Sequence, residues 1–242
     1  MGHGAPDFGV YAPKETIISI EDLGELAARL GSIVNFDRKG DVLWLDDFEE
    51  GIDKWIKVLT VDRGSILWSA AHSHNKGFSA LLTTGDTDGD VVGISRWLPV
   101  LVLSKIGFET SFTIDDNVKF IDFIFYLDDG SNKHYARIRH VRATHTWQYY
   151  DWEGNYQDLS PAISLYERDE LFHTIKFVFD LTTGYYSHCK INDTTFDLSS
   201  YKYRTISNGV SYYSYFYIRV ENNAAVEATS YIDNAIVTQN EP

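Results

Sequence analysis

Five aromatic side chains, Trp147, Tyr149, Tyr150, Trp152 and Tyr156, fall within ten residues of this chain. Rings at that density stack on the flat apolar faces of cyclic ligands such as pyranose sugars, with nearby amides and carboxylates to orient hydroxyl groups. In extended backbone successive side chains alternate, so Trp147 and Tyr149 share one face and Tyr150 and Trp152 the other. One pair is expected outward. Hydrolysis of such a ligand would instead need two facing carboxylates, about 5–5.5 Å apart for retention or about 6.5–9.5 Å for inversion. The nearest string of alternating acids is Glu167-Arg168-Asp169-Glu170-Leu171-Phe172, where Phe172 stands in the place of a third acid. It reads as a solvated loop, and the chain as no enzyme.

Other reactive groups are scattered. No G-x-S-x-G elbow occurs, and Cys189 and its neighbour His188 point to opposite faces of a strand. Cys189 reads as a packed thiol. Asp86-Thr87-Asp88-Gly89-Asp90 begins like a calcium loop but lacks glycine at the sixth position and carries Trp97 where a bidentate glutamate belongs. A solvated turn is the expectation there. His134, Arg137, Arg139, His140 and Arg142 form one basic run, in which Arg137 and Arg139 face the same way and are expected to meet a carboxylate row on a neighbouring strand or subunit, an internal ion-pair ladder being favoured over an anionic ligand site.

The whole chain is acidic, with 35 Asp and Glu against 21 Lys and Arg and a formal charge of −14. Phosphate backbones demand clustered cations, so a nucleic-acid partner is not expected. With one cysteine no intrachain disulfide forms, and no run of about 18 apolar residues predicts a membrane-inserted helix. The opening MGHGAPDFGVYAPKE has no cationic segment followed by an apolar run, so the chain reads as a soluble protein without an export signal.

The elements that must hold these residues are mostly strands. Phe172 to Leu198 reads as a meander, with Ile175, Phe177 and Phe179 on one strand and Tyr186, His188 and Lys190 on the next, around turns at Thr183-Gly184 and Asn192-Asp193. Phe108, Thr110, Phe112 and Ile114 alternate with Glu109, Ser111 and Thr113, which predicts a strand with one wet face. Phe120 to Leu127 is apolar on both sides apart from Asp122, as in a strand central to two packed layers. Tyr212, Tyr213, Tyr215 and Tyr217 mark a further ring-rich strand. Ahead of the strands, Ser19 and Asp22 start a short helix whose stripe is Ile20, Leu23, Ala27 and Leu30, preceded by an extended arm. The expected organisation is an arm and amphipathic helix over 1–40 and a two-sheet antiparallel β-sandwich over 41–242.

The order F-H-x-I-x-F-x-F-D-x-x-T-G-x-Y at Phe172 to Tyr186, with Phe196-Asp197-Leu198 beyond it, resembles concanavalin A-like and laminin-G-like jelly rolls. Asp46-Asp47-Phe48-Glu49-Glu50-Gly51 with Trp55, and Tyr231-Ile232-Asp233-Asn234-Ala235-Ile236-Val237, are similar to the opening and closing strands of carbohydrate-binding modules. This resemblance implies an all-β jelly roll with first and last strands side by side. It also implies a structural calcium near Asp46, Asp47, Glu49 and Asp233, since such modules hold one there.

Three functions follow as expectations. The first is a structural subunit building or decorating a particle surface such as a virion, docking through the helix stripe into a homo-oligomer or larger assembly. The second is a carbohydrate-binding module that presents the Trp147–Tyr156 rings to a glycan. The third is a glycoside-active enzyme, disfavoured by the interrupted acidic string.

Overall fold

The computed structural model describes residues 40–59, 63–74, 77–98 and 101–242. The expected arm and the helix carrying Ile20, Leu23, Ala27 and Leu30 lie outside the described residues. No helix among the described residues is long and apolar enough to cross a membrane.

The fold is an all-β sandwich of two antiparallel sheets with eight strands each. The first runs in the order β13 (Thr194–Asp197), β12 (Tyr185–Ile191), β11 (His173–Asp180), β6 (Lys105–Phe112), β16 (Thr229–Gln239), β4 (Ser79–Thr83) and β3 (Ser65–Ser69), with β1 (Asp41–Asp46) also on β16. The second runs β10 (Tyr156–Asp158), β9 (Thr146–Tyr150), β8 (Lys133–Val141), β7 (Val118–Asp129), β15 (Tyr212–Asn222), β5 (Val91–Leu98) and β2 (Ile56–Leu59), with β14 (Arg204–Ile206) also on β8. The meander β11-β12-β13 forms where the alternation predicts it. Its first turn uses Gly184 at φ +78° and its second Asn192 at φ +50°, left-handed conformations that these two residue types tolerate best. The opening and closing strands lie together, with Asp46 opposite Ala235.

Inward rings fill the space between the sheets. Phe108 of one sheet meets Phe216 of the other at 4.6 Å between ring centroids, and Phe125 meets Phe179 at 4.7 Å. Each fully buried phenylalanine contributes about 1.5–3 kcal/mol of transfer free energy. The outward face of β6 departs from expectation. Glu109 is 5% exposed and Ser111 fully buried, because His74 lies on Ser111 and Lys176 of β11 stands opposite Glu109. Lys176 itself is ion-paired at 2.7 Å with the buried Glu241 near the C-terminus. A face that alternation alone reads as wet is thus covered by chain distant in sequence.

Candidate functional site

The strand pairings of the second sheet align its outward residues into transverse rows. One row runs Arg219, Asp122, Arg139 and Gln148 across β15, β7, β8 and β9. The next brings Tyr217, Ile124 and Arg137 together, with Tyr150 and Tyr156 beyond them. A third runs Trp97, Tyr215, Tyr126 and Tyr135 across β5, β15, β7 and β8. Period-two alternation puts these side chains outward because Ile218, Phe216, Phe123, Phe125, Ala136 and Ile138 occupy the intervening inward positions, all fully buried.

The charged row is anchored by Asp122, which is fully buried. Its Oδ1 accepts from Arg139 Nε at 2.6 Å, and its Oδ2 accepts from Arg139 Nη2 at 2.9 Å and Arg219 Nε at 2.6 Å. The Tyr156 hydroxyl donates to the same carboxylate at 3.3 Å. A desolvated carboxylate needs such a set, since one arginine alone leaves lone pairs unmet. Both arginines also lie by rings: the Arg139 guanidinium carbon is 3.7 Å from the Phe120 centroid and 3.8 Å from that of Tyr156. Within the chain, the expected carboxylate ladder is therefore formed by Arg139 and not by Arg137. No carboxylate lies within 4.0 Å of Arg137 among the described residues; its guanidinium rests against Tyr150 at 4.6 Å and Tyr135 at 5.5 Å.

The third row is a continuous ring band. Tyr126 stacks on Tyr215 at 5.0 Å and 21°, and Trp97 lies 5.2 Å from Tyr213 at 19°. Tyr126 is nearly covered, while Trp97 is 55% exposed, so the band emerges from the sheet toward β5. Burial pushes the Tyr217 hydroxyl up to about 12, and burial with neighbouring Tyr213 pushes Tyr215 upward. These phenols stay protonated at neutral pH and act as hydrogen-bond donors and stacking faces.

The predicted platform is divided by the fold. Trp147 is fully buried and Tyr149 is 8% exposed, with Trp147 packed against Phe112 and Phe123 in the core, so neither can meet a ligand. Of the predicted five, Tyr150 and Tyr156 reach the outward face beside Arg137, half-buried, and Trp152 is 62% exposed beyond the end of β9. Trp152 rims a separate cleft of 590 Å³ shared with His134, Thr182 and Lys202. His134 has both ring nitrogens engaged there, one 3.1 Å from Asp129 Oδ2 and the other 3.3 Å from the Tyr203 hydroxyl. Sequence reasoning named the β15 tyrosines only as a ring-rich strand and missed Trp97, Tyr126 and Tyr135. Their alignment depends on strand register.

The four carboxylates tied to a calcium do not converge. Asp46 is 2% exposed, and its two oxygens accept from Phe48 N and Trp55 Nε1. Glu49 accepts from Gly77 N and Phe78 N, and Asp233 from His74 N. Asp47 Oδ1 accepts from Glu49 N, closing a local turn. These oxygens accept from backbone amides and from the Trp55 indole, and among the described residues no group of three or more His, Cys, Asp or Glu side chains is arranged to hold a metal ion. In the other acidic turn, Asp86 and Asp88 are exposed, whereas Asp90 is buried and ties Thr87 N to Arg63. Glu167 of the interrupted acidic string pairs with Arg142 at 3.1 Å. Ser111 Oγ lies 3.2 Å from His74 Nδ1, but that serine is fully buried. Burial pushes the Cys189 thiol far up, leaving an inert packed group.

No protein-family model matches the chain, and no curated protein matches it in sequence. Solved structures do. The cellulose-induced protein Cip1 is 14% identical over 81% of this chain and 96% of its own, with a TM-score of 0.56. A sialidase gives a TM-score of 0.53 at 10% identity over 86% of this chain, which corresponds to 19% of the sialidase. A carbohydrate esterase from the Shiga toxin-encoding bacteriophage phi24B gives 0.51 at 14% identity, over 84% of this chain and all of that one. At these identities the likeness shows the fold, a two-sheet antiparallel jelly-roll sandwich, and leaves function to the site.

Proposed function

We propose that this chain is a non-catalytic glycan-binding domain whose binding surface is the outward face of the second sheet. The observation that carries the reading is the ring band Trp97, Tyr215, Tyr126 and Tyr135 lying beside the row that holds Arg137 and Tyr150, which pairs stacking surfaces with hydrogen-bond donors. Asp122 is held by two arginines and a tyrosine, and the other carboxylate of its row, Asp158 at the β10 edge, accepts from Gln148 and lies three strands from Asp122, roughly 14 Å by strand spacing, so the two do not make a facing pair for hydrolysis. The expectation of an assembly subunit rests on Ile20, Leu23, Ala27 and Leu30, outside the described residues, and no observation on the described ones favours it.

The test is a glycan array probed with the full chain, followed by calorimetry on the best ligand. Trp97→Ala and Tyr215→Ala are expected to weaken binding at least tenfold each, about 1.4 kcal/mol, while Trp152→Ala stays within about twofold. Unchanged affinity in both ring variants, or no glycan bound at high micromolar protein, would reject this surface. Mass photometry of the full chain checks the rival class, since a closed particle or filament would replace this reading.

A further inference from the structure

Within the proposed glycan surface, three guanidinium groups, Arg137, Arg139 and Arg219, share the two rows whose carboxylates are Asp158, at the β10 edge and bonded to Gln148, and the central Asp122. Arg139 and Arg219 spend their Nε donors on it. Arg137 is different. It sits half-buried between Tyr135 and Tyr150, with the Tyr156 hydroxyl also in hydrogen-bond reach, its Nε buried and no carboxylate paired with its guanidinium among the described residues. With Nε covered, the guanidinium can still present one N–H from each Nη as parallel donors along its outer edge, a geometry that receives a carboxylate through two bonds at once. Rings that hold its plane leave little rotamer freedom to lose on binding.

We infer that Arg137 is the subsite for the carboxylate of an acidic sugar, so that the preferred ligand is a uronate-containing polysaccharide rather than a neutral one. This rests on the glycan-binding reading above. Stacking on Tyr150, Tyr135 or Tyr215 would seat the pyranose ring, and its C6 carboxylate would take the two donors that no protein carboxylate takes. The chain's formal charge of −14 opposes a polyanion at long range. That opposition is screened beyond about 8 Å at physiological ionic strength, whereas the local excess of guanidinium acts at contact distance.

The probes are oligogalacturonate, oligomannuronate and cellotetraose, titrated into the full chain by calorimetry at two salt concentrations. A uronate oligomer is expected to bind at least tenfold tighter than cellotetraose, with an affinity that falls as salt rises. Arg137→Gln should abolish that preference, lowering the affinity for the uronate oligomer at least tenfold more than that for cellotetraose, and Arg137→Lys should keep part of it, the charge remaining but the paired donors lost. A thermal melt of each variant shows that it is folded. Equal or tighter binding of cellotetraose would overturn the inference and leave the glycan-binding reading standing. Equal losses for neutral and acidic ligands in a folded Arg137→Gln protein would also overturn it, as would tighter binding of dextran sulfate than of either uronate. Binding of none of the saccharides would remove both readings.

Discussion

Asp122 shows how one residue is read differently by sequence and by structure. In the sequence it interrupts an apolar run, and in the fold it is a fully buried anion at the centre of the outward face of the second sheet. Its partners Arg139 and Arg219 come from the strands on either side of β7. Burial alone would lower the Arg219 basicity, but the adjacent Asp122 carboxylate raises it. Removing the carboxylate leaves two cations facing each other across desolvated ground, so Asp122→Ala is expected to destabilise the fold by about 3–5 kcal/mol. Urea unfolding followed by tryptophan fluorescence checks this; a loss below about 1 kcal/mol would mean that the cluster is solvated and weak. Arg137, by contrast, has no such ion pair, and its substitution is expected to move ligand preference more than stability.

Strands decide which rings are core and which are surface. On β9, Trp147 and Tyr149 point inward and Tyr150 outward, so Trp147→Ala opens a core cavity and is expected to cost about 3–5 kcal/mol. Trp152→Ala, beyond the strand end, should fall within about 0.5 kcal/mol of the parent protein. Thermal melts of the two variants distinguish them, and equal effects would contradict the inward assignment of β9. Gly93 on β5 illustrates a close approach. A methyl group there would press on the Ile218 carbonyl and lie 2.5 Å from the Tyr217 ring. Gly93→Ala should therefore force β5 away from β15 and weaken glycan binding at the Trp97–Tyr215 contact along with stability.

For the molecule as a whole, acid lability follows from its buried histidines. Burial, then His145, His173 and Arg142, pulls His140 down to about 3, while burial also lowers His74 and His173. Each is neutral in the fold and gains a proton more readily when unfolded. A base with a depressed folded pKa contributes stability that is complete above its unfolded value near 6.5 and is lost as pH falls toward the folded value. The thermal midpoint should therefore decline between pH 6.5 and about 3, at no more than about 1.4 kcal/mol per pH unit for each histidine. His140→Phe, which keeps the ring against Trp147, should flatten that decline. A midpoint indifferent to pH over this window would show that His140 is protonated or exposed in the fold. Asp129 adds a further loss only at lower pH. Burial would raise it, but the Asn132 and Ser131 amides and His134 hold it at about 2, so its contribution is present above its ordinary value and disappears as pH falls through about 2.

Local patterning determined the β-class and the meander of β11 to β13, because alternation and turn residues are properties of neighbouring residues, whereas the pairing of the opening and closing strands was implied only by the resemblance to carbohydrate-binding modules. Alternation also separated Trp147 and Tyr149 from Tyr150 and Trp152. It did not say which pair faces the core, since both faces of β9 carry rings and only the presence of Phe112 and Phe123 on one side turns Trp147 inward. The binding surface itself, with Trp97, Tyr215, Tyr126 and Tyr135 in one row and Arg137 left without an acid beside them, was decided by tertiary structure. It is assembled from β5, the consecutive strands β7 and β8, and the distant β15, and cross-strand register is set by turns and core packing across the whole sandwich, which no single segment encodes.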